Sequence, residues 1–250
     1  MTTSAAGPLE ARLRARRDAG HKLLVPYVTG GFPGWERVVE AVCAAGADAV
    51  EIGIPFSDPV IDGPTIQAAS EQALAAGANP DAVVATTGKL DTGGVPLVVM
   101  TYYNTVHHAG HERFADTLRV AGVAGAIVPD LPLEEVGEWA AAADGAGIAT
   151  ILLAAPTGSD ERLARICERT RGFVYGVGLL GVTGERKELA RSALDIAVRL
   201  KAITDKPVLV GIGVSTPGQA AEVAEVADGV VVGSALIRRL LDGGGAEAAG

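Results

Sequence analysis

The chain has 250 residues, 48% hydrophobic and 20% charged, and carries a net charge of −9. A surplus of acid on this scale excludes nucleic acid or an anionic membrane as the main partner, and the composition is that of a globular protein able to bury a core without staples. The two cysteines, Cys43 and Cys167, fall in separate helical patterns, which excludes a disulfide framework and predicts two buried thiols.

The first twenty residues hold no apolar leader stretch, and no run approaches the length of a membrane span, so a cytoplasmic protein is expected. Residues 8–20, rich in arginine but carrying Glu10 and Asp18, predict a short amphipathic helix. Eight apolar, β-branched runs then follow: LLVPYVT (23–29), AVEIGIPF (49–56), PLVVMTYY (96–103), GAIVPD (125–130), ATILLAA (149–155), GFVYGVG (172–178), PVLVGIG (207–213) and DGVVVG (228–233). Between them, helical spacing appears at 35–45, 134–146, 160–169, 189–203 and 217–226. Strands alternating with helices imply a parallel sheet. Eight such units over residues 1–250 predict an α/β fold, a (β/α)8 TIM barrel in a single domain, with 243–250 as a frayed tail. An open doubly wound sheet is the alternative, but no GxGxxG opens the first helix.

In such a barrel the chemistry sits at the C-terminal ends of the strands. The stretch EIGIPFSDPVIDGP (51–64) places Glu51 inside the second strand and Asp58 and Asp62 on the loop after it, stiffened by Pro55, Pro59 and Pro64. A buried carboxylate is costly unless it is paired or used. No lysine falls at a strand's C-terminal end, which removes a Schiff-base mechanism. His107, His108 and His111, in HHAGH after the third strand, are read as solvated loop residues, because no carboxylate stands at the spacing of a fourth metal ligand. No metal site and no cofactor are expected.

The last three strands end in glycine turns, GVTG (181–184), GIGVS (211–215) and GSA (233–235). Such turns expose backbone N–H groups, and phosphate commonly binds after strands 7 and 8 of a barrel. Two acids on one side and an anion cradle on the other suit proton transfer on a phosphorylated substrate with an apolar or aromatic part.

These residues also carry a resemblance. VPYVTGGFP (25–33), AGADAVEIGIPFSDPVIDGPTIQ (45–67), YYN (102–104), PDLPLEE (129–135), GFVY (172–175), GVTG, GIGVS and GSA together resemble the tryptophan synthase alpha chain family from about residue 23 to 241. The resemblance implies cleavage of indole-3-glycerol phosphate to indole and glyceraldehyde 3-phosphate, within L-tryptophan biosynthesis. It also implies a tryptophan synthase beta chain as partner in an alpha2-beta2 complex, with no nucleic acid or membrane involved. A stand-alone lyase of indole-based secondary metabolism and a weakly active beta-chain activator are the alternatives.

By the same resemblance Glu51 protonates indole C3 and takes a proton from the adjacent hydroxyl, while Asp62 faces the ring N–H. Tyr102 and Tyr175 match aromatic positions lining the site, although two strand-end tyrosines also suit a core. Thr183 matches a threonine that bonds the catalytic aspartate on loop closure, and Gly184, Gly213, Gly233 and Ser234 match phosphate donors. Asp58 is expected to pin its loop through backbone amides. PDLPLEE and Asn104 match surfaces facing the beta chain. The chain departs from the family pattern at Gly178-Leu179-Leu180, where a small polar residue is usual, and at Ile212 and Leu24, where aromatics are common; it also runs only briefly past GSALIRRLL.

Overall fold

The computed structural model describes residues 6–178, 186–211 and 216–245, with backbone only for 186–190. Thr183, Gly184, Ile212 and Gly213 lie outside the described residues, as do Leu179 and Leu180.

The elements run α1 (Pro8–Asp18), β1 (Leu23–Thr29), α2 (Trp35–Ala44), β2 (Val50–Gly53), α3 (Pro64–Ala75), α4 (Pro80–Thr87) and β3 (Leu97–Met100). They continue as α5 (Tyr103–Ala109), α6 (His111–Val120), β4 (Gly125–Ile127), α7 (Gly137–Ala146), β5 (Ala149–Ile151), β6 (Leu153–Ala154) and α8 (Asp160–Arg169). The last are β7 (Val174–Val177), α9 (Arg186–Ile203), β8 (Val208–Gly211), α10 (Pro217–Val226), β9 (Gly229–Val232) and α11 (Ser234–Leu241). Each of the eight predicted runs holds a strand, and the fifth is interrupted at Leu152, so that it contributes both β5 and β6.

Local chemistry sets several helix starts. Asn79 accepts the Ala82 N–H at 2.9 Å with Pro80 as the first helical residue of α4, and Thr216 and Gln219 form a reciprocal capping box on α10. The histidines required a correction. His107 and His108 lie on α5 and His111 opens α6, because Gly110, at φ 85°, ends one short helix and starts the next where a loop was expected.

The chain divides into two compact units, Leu24–Ile148 with Val231–Gly250, and Met1–Leu23 with Ala149–Val230. In the first, β1 to β4 pair in parallel and in order, with Tyr27, Glu51, Val98 and Gly125 in one register row. In the second, β6 to β9 pair in parallel, and Leu153, Tyr175, Leu209 and Gly229 form a row. β2 and β8 are buried along their whole length, as strands covered on both faces must be, which explains their unbroken apolar runs. Cys43 and Cys167 are buried thiols on α2 and α8. No helix of the described residues is long and apolar enough to cross a membrane.

Candidate active site

Register partners in a parallel sheet share a face, and so do residues two apart on one strand. Glu51 therefore stands beside Tyr27 on the same face of β1 and β2, with Gly53 one step nearer the strand's C-terminal end. Glu51 is 2% exposed, and its Oε2 has no hydrogen-bond partner among the described residues. Burial disfavours the charged form, and the nearby Asp62 carboxylate adds to the effect, so the Glu51 carboxyl is pushed up to about 8. At neutral pH this group holds a proton that it can give.

Asp62 lies on the segment between β2 and α3 and is half-buried. Burial raises its pKa above the ordinary carboxylate value, opposed by a hydrogen bond from the Tyr102 hydroxyl. Tyr102 is the N-cap residue of α5, just past the end of β3, and is 2% exposed. Its hydroxyl accepts the Ile61 N–H at 3.2 Å, and its ring stacks on Phe56 with centroids 5.0 Å apart. Burial, together with the Asp62 charge, pushes the Tyr102 phenol up to about 12, so it stays a neutral donor. A tyrosine expected as a pocket wall thus also touches the segment bearing the acid at Phe56, Ile61 and Asp62. Asp58 bonds no backbone amide among the described residues, where pinning of its segment was expected; it accepts from the Ser57 hydroxyl at 2.5 Å and faces solvent.

Tyr27 was missed in the sequence. It reads there as one more apolar position of a buried strand, and nothing in VPYVT marks it as different. In the structure it is 7% exposed, and its phenol lies over Gly53, where any Cβ would collide with the hydroxyl and ring carbons. The root of its side chain rests near Gly233, where a Cβ would sit 3.4 Å from that of Tyr27. Burial first, then the charge on Asp62 and to a smaller degree on Glu51, raises its pKa. One buried phenol therefore reaches from the glycine before α11 into the field of both acids. The cross-strand signal that would have found it is the glycine at position 53, inside an otherwise β-branched run.

Gly233 is the N-cap residue of α11 and Ser234 its first helical residue, with no side chain capping the turn. The first-turn amides of such a helix have no intrahelical acceptors, and with the positive end of the helix dipole they suit an anion. Tyr175 belongs to the other unit. There it is 9% exposed, its ring tilts against Phe173 at 6.0 Å, and its hydroxyl lies across Gly211, as Tyr27 lies across Gly53.

The remaining candidates have other surroundings. The Tyr103 hydroxyl and His111 Nε2 are 3.0 Å apart, His111 Nδ1 is 3.6 Å from Glu138, and the Tyr103 N–H donates to Asp130 at 2.8 Å. Lys201 pairs with Asp228 at 2.9 Å, and Lys206 donates to the carbonyls of Cys167, Glu168 and Thr170. Both amines are committed beside the N-terminal ends of β8 and β9, away from the strand ends where a Schiff base would form. Leu24, expected beside an indole pocket, is 41% exposed at the start of β1.

Residues 13–248 match the model of the tryptophan synthase alpha chain family. A tryptophan synthase alpha chain of Streptomyces coelicolor is 47% identical over 238 residues, 94% of this chain and 88% of that one. One of Thermobifida fusca is 44% identical over 240 residues, 94% of this chain and 89% of its own length. A solved structure of Mycobacterium tuberculosis tryptophan synthase matches with a TM-score of 0.89 at 38% identity, over 98% of this chain and 94% of the other. The fold class is accordingly the (β/α)8 barrel that the alternating runs predicted. The chain belongs to the tryptophan synthase alpha chain family.

Proposed function

We propose that Glu51 and Asp62 carry out the family's reaction, the carbon–carbon lyase step of tryptophan biosynthesis that splits indole-3-glycerol phosphate into indole and glyceraldehyde 3-phosphate. The observation that carries this reading is the buried Glu51 carboxyl, raised to about 8, with the Asp62 carboxylate within electrostatic reach. Neutral Glu51 gives its proton to C3 of the indole, and the ring becomes an indoleninium cation. Ionised Asp62 faces the ring N–H and stabilises that charge. The hydroxyl on the carbon attached to C3 then loses its proton to the Glu51 carboxylate. Its oxygen forms the aldehyde carbonyl, the C–C bond breaks, and the released electron pair neutralises the ring. Glu51 ends protonated, ready for the next turnover, and no metal or cofactor enters the balance.

Gly233 and Ser234, at the N-terminus of α11, hold the phosphate, and Tyr102 lines the apolar part. For Tyr175, and for Thr183, Gly184, Ile212 and Gly213 outside the described residues, a role in substrate binding rests on the family resemblance alone. The acidic surface around Asn104, Asp130 and Glu134, beside a cleft of about 460 Å³ that reaches Tyr103, is the docking face for a beta chain in an alpha2-beta2 complex. The protein works in the cytoplasm as one barrel domain. The test is release of indole from indole-3-glycerol phosphate by the purified protein, with the unphosphorylated indole-glycerol as competitor. Cleavage with weak competition is the expected result. No indole release, with or without a beta chain, defeats the proposal.

A further inference from the structure

The backbone of residues 55–62 makes no backbone–backbone hydrogen bond to any described residue. Pro55 and Pro59 have no N–H to give, and the carbonyl of Gly63 already takes the N–H groups of Ile66 and Gln67, each at 3.0 Å. A segment so sparsely bonded leaves its acid free to wander unless side chains hold it. Two do, one on each side of Asp62. Tyr102 accepts the Ile61 N–H at 3.2 Å, and its hydroxyl lies close enough to the Asp62 carboxylate to lower the acid's pKa. From the other side, Gln67 Nε2 donates to the Asp62 carbonyl oxygen at 2.7 Å.

We infer that Gln67 is a positioning residue for Asp62: its half-buried amide, reaching back from the first turn of α3, fixes the backbone from which the catalytic carboxylate projects. The inference rests on the reading of Asp62 given above. α3 is a firm base for this bond, because Ile66, Ala69 and Ala73 are buried along it and Thr65 accepts from Arg238 of α11 at 2.9 Å. The N-cap position, Gly63, has no side chain to close the turn, and Pro64 follows it. The Gln67 amide does not cap the free N–H groups of this turn; it donates to the carbonyl of the residue before the N-cap, which here is the acid. Without it the α3 helix keeps its own hydrogen bonds and its buried face. What is lost is the link between helix and acid, and a misplacement of about 1 Å at a reacting group costs up to a hundredfold in rate.

Gln67→Met keeps length and helix propensity and removes the donor; Gln67→Glu keeps the shape and sets an acceptor against the carbonyl. Each is made in the wild-type chain and in Asp62→Asn, in the presence of whatever beta chain the wild type requires. In the wild-type background, kcat should fall about tenfold with KM within about twofold and Tm within about 2 °C. In Asp62→Asn the same substitutions should cost less than about twofold, because Gln67 acts through the carboxylate already removed. An unchanged kcat, or an equal loss in both backgrounds, overturns the positioning role while leaving the functional reading intact. Full activity of Asp62→Asn itself would instead overturn the reading of Asp62, and the inference with it.

Discussion

The phenol of Tyr27 occupies the space above Gly53 where a side chain would otherwise stand, and Tyr27 is the register partner of Glu51 two residues earlier on the same strand. Glycine at 53 is therefore a condition of the site and not a defect in the strand. Any Cβ there must push aside a buried ring that has little room to move. Gly53→Ala should lose about 1–3 kcal/mol in urea unfolding, the usual scale of overpacking. The loss should shrink when Tyr27→Ala is combined with it. Equal losses with and without the phenol would mean that the two residues do not compete for space.

Glu51 should make the protein less stable as pH rises. Its folded pKa, about 8, lies above the ordinary carboxylate value, so the folded state binds more protons than the unfolded one between about 4.5 and 8. Stability conferred by the neutral group is fully present below that window and is lost as pH climbs through it. The sign is opposite to that of a salt-bridged carboxylate. Glu51→Gln should match the wild type near pH 4.5 and exceed it at pH 9 by on the order of a few kcal/mol. Chemical denaturation across this range measures it, and a wild-type stability that stays flat from pH 5 to 9 would contradict the assignment.

The anion site should respond to bulk more than to the loss of any one side chain, since its donors are backbone groups. A Cβ at Gly233 meets Tyr27 at an ordinary 3.4 Å, so the fold tolerates a small side chain there. Gly233→Val fills the mouth of the α11 N-terminus and should raise KM about tenfold or more, about 1.4 kcal/mol or more of lost binding, with a smaller effect on kcat. Glycerol 3-phosphate should inhibit the wild type and lose most of its effect on the variant. Inhibition of equal strength in both would place the phosphate elsewhere.

Dependence on a beta chain is read from turnover during titration with the purified partner. The segment bearing Asp62 carries an exposed valine, Val60, at 78% exposure, and makes no backbone–backbone hydrogen bonds to the described residues, so a partner has something to order. Cleavage should rise at least tenfold as the beta chain is added, since ordering of such segments often sets turnover. Brisk turnover that the partner leaves unchanged would mark a lyase that works alone.

The barrel was legible because burial on both sheet faces forces unbroken β-branched runs, and each predicted run holds a strand. The burial of Glu51, with Asp62 close enough to raise its pKa, was foreshadowed for a related reason, as acids stand out in apolar, proline-locked sequence. Tyr27 was not, because a buried aromatic in a strand looks like core, and only the register with Gly53 shows what lies beneath it. Gln67 was equally silent, one polar residue on an ordinary helix until the backbone turned its amide toward Asp62. The histidines were misread because Gly110 punctuates two helices in the same way that it would punctuate a loop.

The most direct measurement of the central claim is the steady-state kcat of Glu51→Gln and Asp62→Asn for cleavage of indole-3-glycerol phosphate, with KM determined in the same runs. Each substitution keeps the shape of the side chain and removes the charge or the proton that the mechanism needs. The account predicts that both lose at least about a hundredfold in kcat while KM stays within about threefold. Turnover near that of the wild type in either variant would contradict it.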